Sequence, residues 1–336
     1  MSADSPGSGN QSACAIDLDF THTFLPVVFV VVFVVGLVAN ACGLRSVCSR
    51  WRKLGDVSIF ILNLGIADLL YVSTLPFLVS YYALGSRWMF GETFCKVTRF
   101  CFNLNLYGSI GFLTCISIYR YLGIVHPMKV KGKINSRLSV VVSALVWALV
   151  IVQISPDMFF NKTAPNSSDS CYDTTADGLA AAYLPYSLGW TFTGFVVPLA
   201  IIILCYGHIA YVLTANGSIN VLLKQRCLKL VVVVTVLFSI CFIPFHVLRN
   251  LNLQTRIAKL RGECHHSFDD IYFAYQISRG LACTNSAINP LIYLVGNDDF
   301  LLRLHRLGRE ARRTLARCAG AAAYRRAHEM DSMGVA

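Results

Sequence analysis

Charge is scarce in this chain. Only 14% of its 336 residues are Asp, Glu, Lys or Arg, against roughly 25% in a soluble globular protein. Acids are the scarcer sign, 18 against 29 Lys and Arg, which leaves a net charge of +11. A nucleic-acid binder adds its basic residues to a soluble background, whereas here 55% of the residues are hydrophobic and the mean hydropathy is +0.57. Nucleic acid is therefore not an expected partner, and the same numbers exclude disorder for most of the chain. The first residues do not read as a cleavable signal peptide either. Residues 1–22 contain Asp4, Asp17 and Asp19, no Lys or Arg, and no apolar core, so they read as a short polar extracellular segment.

What is present is apolar sequence in long runs. A membrane-spanning helix needs about 20 such residues, because only a closed ladder of backbone hydrogen bonds survives in hydrocarbon. Seven runs qualify: Thr23–Leu44, Val57–Leu84, Val97–Tyr121, Leu138–Phe160, Leu179–Leu213, Leu228–Leu248 and Ile271–Val295. The expected fold is an all-α membrane protein with a seven-helix domain over 23–296, and 297–336 as an amphipathic helix and cytoplasmic tail. Pro76, Pro198, Pro244 and Pro290 lie within runs, where membrane helices tolerate them as kinks.

Basic residues orient the bundle. With the N-terminus outside, the inner loops and tail hold 20 of the 29 Lys and Arg against 6 acids, and the outer side holds 9 against 11 acids. The sequons at Asn10, Asn161 and Asn166 then fall outside, where glycosylation is expected, and that at Asn216 falls inside. Thirteen cysteines cannot all pair. Most lie in or beside apolar runs, where a free thiol behaves as a small hydrophobe. Cys14, Cys95, Cys171 and Cys264 face the oxidising side, and four cysteines allow three connectivities. Pairing Cys95 with Cys171 would tie the loop after the fourth helix over the bundle mouth, and pairing Cys14 with Cys264 would then pin the N-terminus to the last outer loop. Cys318 in the basic tail is a weak candidate for palmitoylation.

Ionisable residues inside a membrane are costly and mark function by default. Asp68 is the one acid at mid-membrane. It suits either a cation such as sodium or a polar network with Asn40 and Asn289. A channel or transporter would place acids or broken helices in several spans, and an intramembrane hydrolase would need paired acids, or His with a nucleophile, so no enzyme is expected. No metal site or other cofactor is expected either. Asn40, Leu64 to Leu69 around Asp68, Trp147, Pro198, Cys241-Phe242-Ile243-Pro244-Phe245 and Asn289-Pro290-Leu291-Ile292-Tyr293 stand in an order that resembles the rhodopsin-like G-protein-coupled receptors. The resemblance makes Arg120, Pro244, Asn289, Pro290 and Tyr293 candidate switch residues toward a heterotrimeric G protein. Two departures stand out. Tyr119 replaces the acid that the family usually places before Arg120, which implies raised basal activity, and Phe245 stands where many members have Trp.

Positive charge near the outer mouth bears on the ligand. Arg99 lies one turn from Cys95, Arg249 one turn from His246, and Arg279 one turn from Gln276. Residues three apart share a helix face. Three arginines on three helices read as an anion site, since the planar guanidinium grips phosphate or carboxylate with two parallel bonds. The competing expectation pairs Arg249 and Arg279 with Asp173, Asp269 or Asp270 as loop fasteners. Arg99-Phe100, Asn105 to Ile110, Cys171-Tyr172-Asp173-Thr174-Thr175, Pro244 to Arg249, Asn252-Leu253 and Tyr275 to Ala282 are similar to the metabotropic purinoceptors, receptors for extracellular nucleotides, and especially to the adenine-nucleotide subgroup. That resemblance implies phosphate contacts from Arg99, Arg249 and Arg279, pocket-lining roles for Tyr107, His246 and Gln276, and entry gating by Arg256 and Asp173. Arg249 stands where Lys is common, and Asn103 where His is common. The implied activity is ADP or ATP sensing through phospholipase C and calcium release at the plasma membrane; a receptor for succinate or oxoglutarate is the alternative.

On the inner side, Lys129, Lys131, Lys133 and Arg137 form a basic cluster suited to anionic lipid or to a G protein. The segment Asn297 to Leu304, with acids first and arginines beyond, reads as an amphipathic helix on the membrane surface.

Overall fold

The computed structural model describes residues 19–48, 55–163, 170–215, 232 and 234–290. Asn10, Cys14, Asn166, Asn216, Tyr293, the segment 297–304 and Cys318 lie outside the described residues. The first span is one helix, Asp19–Cys48, of 30 residues, or about 45 Å at 1.5 Å per residue. Its buried side chains Leu25, Phe29, Val32 and Asn40 recur at helical spacing, while Val27, Val30, Val31, Val34 and Val38 are exposed. The same division repeats on the fourth span, Ser136–Ile154, where Val140, Val141, Leu145, Leu149 and Val152 are exposed, and on the sixth, where Val232, Val236, Ile240, Ile243 and Val247 are exposed. Apolar stripes of this extent need a hydrocarbon partner. Six helices among the described residues are long and apolar enough to cross a membrane. The seventh, Ser267–Ile288, packs against the first and sixth and carries Asp269, Asp270 and Arg279.

Prolines shape the remaining spans. The second is two helices, Asp56–Val72 and Leu75–Ala83, rather than the single run expected. Pro76 has no N–H to continue the ladder, and the hydroxyls of Ser73 and Thr74 donate to the carbonyls of Leu70 and Tyr71, both at 2.7 Å. The fifth span comprises Ala180–Thr191, a π-turn at Phe192–Val196 and Val197–Ala215. In the sixth, a π-turn at Phe238–Phe242 leads into Ile243–Leu260. Each π-turn stands just before a proline, Pro198 or Pro244, where the regular bonding pattern must adjust.

The third span, Gly91–Val125, is the longest uninterrupted α-helix among the described residues at 35 residues and packs against the second, fourth and fifth. At its closest approach to the fifth, Gly194 is required: a Cβ there would run into the Gln153 amide and would meet the Tyr107 ring at 2.7 Å. The sixth helix runs twelve residues past the expected end at Leu248. Its outer extension is polar, with Asn250, Asn252, Gln254, Arg256 and Lys259, so apolar run length missed it. Consequently the arginines lie deeper than expected, Arg249 about 16 Å and Arg279 about 18 Å along the helix from its outer end.

Candidate functional site

A disulfide joins Cys95 at the top of the third span to Cys171 in the second outer loop, with the two Cα atoms 5.8 Å apart. Cys264 is disulfide-bonded as well. One turn beyond Cys95, Arg99 is only 2% exposed and donates through Nη2 to the Cys171 carbonyl at 2.7 Å. The disulfide thus fixes the acceptor that orients this guanidinium. Its Nε has no partner.

Two residues along the loop, Asp173 reaches the seventh span. Its Oδ2 accepts a hydrogen bond from the Tyr275 hydroxyl and lies 3.9 Å from Nη1 of Arg279. Burial would raise the Asp173 carboxyl, yet Arg279 and Arg99, with Tyr275 and Arg256, hold it well below the usual carboxylate range. Arg279 also donates to the Tyr82 hydroxyl at 2.7 Å and to Gln276 Oε1 at 3.4 Å, and sits 5.6 Å from the centre of the Tyr82 ring. The loop-fastening expectation is therefore met for Arg279 through Asp173.

Arg249 behaves differently. Its Nη2 donates to the Tyr183 hydroxyl at 2.8 Å, its guanidinium lies 4.6 Å from the Trp190 ring centre, and its Nε has no partner. It pairs with none of Asp173, Asp269 and Asp270, the acids considered for it from sequence. The Tyr183 hydroxyl in turn donates to Asp157 Oδ1 at 2.7 Å. Lys162 Nζ binds the same oxygen at 2.7 Å and donates to the Thr174 carbonyl, while Asn103 Nδ2 reaches Asp157 Oδ2 at 3.1 Å. Burial pulls the Lys162 amine below its ordinary value, and the Asp157 carboxylate opposes that pull.

Beneath Arg249 lies an aromatic cluster. Tyr107 packs on Trp190 at 4.7 Å and on His246 at 5.5 Å, and His246 stacks on Phe195 at 4.3 Å. The Tyr107 hydroxyl, the Trp190 indole N–H and both ring nitrogens of His246 have no hydrogen-bond partner. Buried polar groups left open in this way are ready for a ligand's polar edge. Higher up, Arg256 holds the loop by three bonds, Nε to Asp177 at 2.8 Å, Nη1 to Thr174 at 2.8 Å and Nη2 to the Thr175 carbonyl at 2.6 Å.

The structure therefore brings Arg99, Asp173, Gln276 and Arg279 into one cluster, and Arg249, His246 and Tyr107 into an adjoining one. Tyr275 lies within the electrostatic reach of both Arg279 and Arg249. Sequence reasoning missed Tyr82, Asp157, Lys162, Tyr183 and Trp190. Of these, Asp157 and Lys162 are charged and lie at the end of the fourth apolar run and within the Asn161 sequon, and the other three are aromatic residues indistinguishable in sequence from core. Asn161 itself is exposed.

Midway down the bundle, Asp68 accepts from Asn105 at 2.8 Å and from Asn289 at 3.0 Å on each oxygen. Asn40 does not touch Asp68; it joins through the Ser286 carbonyl at 2.7 Å, and the Ser286 hydroxyl reaches Asn105 at 2.9 Å. The amide donors occupy the carboxylate where a cation would sit, so the network form of the expectation fits the geometry better. No group of three metal-ligating side chains occurs among the described residues.

The family of 7 transmembrane receptors (rhodopsin family) matches residues 39–293. Purinoceptor 1 of Meleagris gallopavo is 39% identical over 310 residues, covering 91% of this chain and 86% of the relative. Purinoceptor 1 of Homo sapiens is 39% identical over 297 residues, covering 88% and 79%. The chain belongs to the purinoceptors of the rhodopsin family. Purinoceptor 4 of Xenopus laevis is 35% identical over 302 residues, 88% of this chain and 56% of that longer relative. The protein is thus a multi-pass receptor of the plasma membrane and not an enzyme.

The departures at Asn103 and Arg249 from the purinoceptor pattern, and at Tyr119 from the wider rhodopsin-like one, have places in the fold. Asn103 serves Asp157. Arg249 reaches the Tyr183 hydroxyl through Nη2 and lays its guanidinium over Trp190, a geometry that lysine's single ammonium lacks. Tyr119 packs edge-on against Phe60 at 4.7 Å, and neither its hydroxyl nor Arg120 Nε has a hydrogen-bond partner.

Proposed function

We propose that this purinoceptor binds extracellular adenine nucleotides, ADP or ATP, through Arg99, Arg249 and Arg279, and activates a heterotrimeric G protein leading to phospholipase C and calcium release. The observation that carries the reading is the set of three buried guanidinium groups from three helices, two of them with an Nε–H left unpaired. Each charge-assisted hydrogen bond to phosphate is worth about 1.5–3 kcal/mol, so a di- or triphosphate gains several where a monoanion gains one. The open polar edges of Tyr107, Trp190 and His246 suit the base and sugar. Asp173 stands in for part of the anion, and phosphate competes with it for Arg279.

Ligand binding signals only if it favours one helix arrangement over another. The π-turn and Pro244 in the sixth span, and Pro290 after the seventh helix, are the places where the backbone can yield. The charge asymmetry supports an extracellular N-terminus. Lys129, Lys131, Lys133 and Arg137 are all exposed and suit anionic lipid beside the G protein. The test is calcium or inositol phosphate release in transfected cells given ADP, ATP, UDP, UTP and succinate separately. ADP or ATP should act at the lowest concentration, and a response to succinate alone would overturn the reading.

A further inference from the structure

The Asp157 knot is not needed to explain a phosphate site, yet it engages five parts of the receptor. Asp157, at the outer end of the fourth span, is 1% exposed. It takes donors from the third span (Asn103), the second outer loop (Lys162) and the fifth span (Tyr183). Through Tyr183 it reaches Arg249 on the sixth. A buried carboxylate this costly persists only when every oxygen is satisfied.

The direction of the chain of bonds carries the argument. A phenol has one proton, and Tyr183 gives its proton to Asp157, so only oxygen lone pairs remain to face Arg249. Arginine is a donor only. The sequence Arg249 to Tyr183 to Asp157 is therefore one-way and cannot reverse. Charge at both ends strengthens each link.

Lys162 adds a second element. It already neutralises Asp157 at 2.7 Å, so the carboxylate orients Arg249 without cancelling its charge. We propose that Asp157 is a positioning residue for Arg249: acting through Tyr183, it fixes one arm of the guanidinium over Trp190 and leaves the Nε–H edge unpaired for an anionic ligand. This rests on the nucleotide reading above.

Tyr183→Phe is the cleanest probe, because it removes one hydroxyl and leaves Asp157 paired with Lys162. The full-length receptor is expressed in cells, its surface amount is measured, and calcium release is titrated with ADP and with UDP as second probe. Tyr183→Phe should shift the curve of the more potent nucleotide to the right by about tenfold at equal surface amount, as expected for one charge-assisted bond. In an Arg249→Lys background, where no second arm remains to be positioned, the further shift should fall within twofold; in an Arg279→Lys background it should remain tenfold. General loosening of the fold would move both backgrounds alike. An unshifted Tyr183→Phe curve, or an equal shift in both backgrounds, would overturn the positioning role while the wild-type response keeps the nucleotide reading intact. A wild-type receptor silent to both nucleotides would instead remove the reading on which the proposal rests. Should Tyr183→Phe fail to reach the surface, the paired variant Asp157→Leu/Lys162→Met, which leaves no unpaired buried charge and no acceptor for the Tyr183 hydroxyl, carries the same expected tenfold shift and the same refutation.

Discussion

Arg279 offers the most direct perturbation of the phosphate site, because its present partners are few and known. It holds Tyr82 at 2.7 Å, Gln276 at 3.4 Å and Asp173 at 3.9 Å. Replacement by Ala removes the cation and leaves the Asp173 carboxylate facing the incoming phosphate with less opposing charge. Two charge-assisted bonds to phosphate at about 1.5–3 kcal/mol each set a loss of at least ~3 kcal/mol. At about 1.4 kcal/mol per decade, that is a right shift of about a hundredfold or more. Arg279→Lys keeps the charge and loses the forked geometry, so about one bond is lost and the shift is about tenfold. The assay is ADP-evoked calcium release at matched surface amount, with a nucleoside monophosphate titrated in parallel. The gap in potency between ADP and the monophosphate should narrow in Arg279→Ala. A curve within threefold of wild type, or an ADP shift no larger than that of the monophosphate, would refute the claim that Arg279 binds the phosphate chain.

Three further expectations bear on stability. Because Asp173 is held below the usual carboxylate range, its contribution is present above the unfolded pKa near ~3.9 and is lost as pH falls through the lower folded value. The difference in melting temperature between the purified wild type and Asp173→Asn should thus stay constant from pH 8 to 5 and shrink only below about pH 4; a difference that vanishes by pH 6 would contradict the assignment. Asp68→Asn turns an amide N–H toward the amides of Asn105 and Asn289, and the melting temperature should drop by roughly 2–4 °C for each kcal/mol lost in a domain of this size. Gly194→Ala places a methyl 2.7 Å from the Tyr107 ring; overpacking of this kind costs about 1–3 kcal/mol and should reduce thermal stability and nucleotide potency together, whereas Gly189→Ala, which meets nothing within 4 Å, should leave both unchanged.

The spans were legible in sequence because a bilayer imposes a length and forbids exposed backbone, and apolar run length reports both. The same logic failed where helices leave the membrane. Residues 249–260 continue the sixth helix as polar sequence, and that hid the depth of Arg249. The π-turns at Phe192–Val196 and Phe238–Phe242 insert one residue's worth of slack with no change of composition, and only Pro198 and Pro244 nearby hinted at them. Arg99, Arg249 and Arg279 stood out because charge within or at the edge of an apolar run is conspicuous. Tyr183, Trp190 and Tyr82, which hold those arginines, look like ordinary aromatic residues until the fold places them. Asp157, near the end of the fourth apolar run, and Lys162, just past it, gave no sign of their partnership, because the pairing of Asp157 with helices 54 and 26 residues away is a product of tertiary packing.

The central claim is that the buried arginines form a site for the phosphate chain of a nucleotide. Thermal unfolding of the purified full-length receptor with ADP, adenosine or succinate at equal concentration tests it most directly, since a ligand that binds only the folded state stabilises it by an amount that grows with the logarithm of its concentration over Kd. ADP should raise it by several degrees in the wild type and not in Arg279→Ala, with adenosine weaker than ADP in the wild type. Stabilisation by succinate but not ADP, or equal stabilisation by adenosine and ADP, would contradict the account.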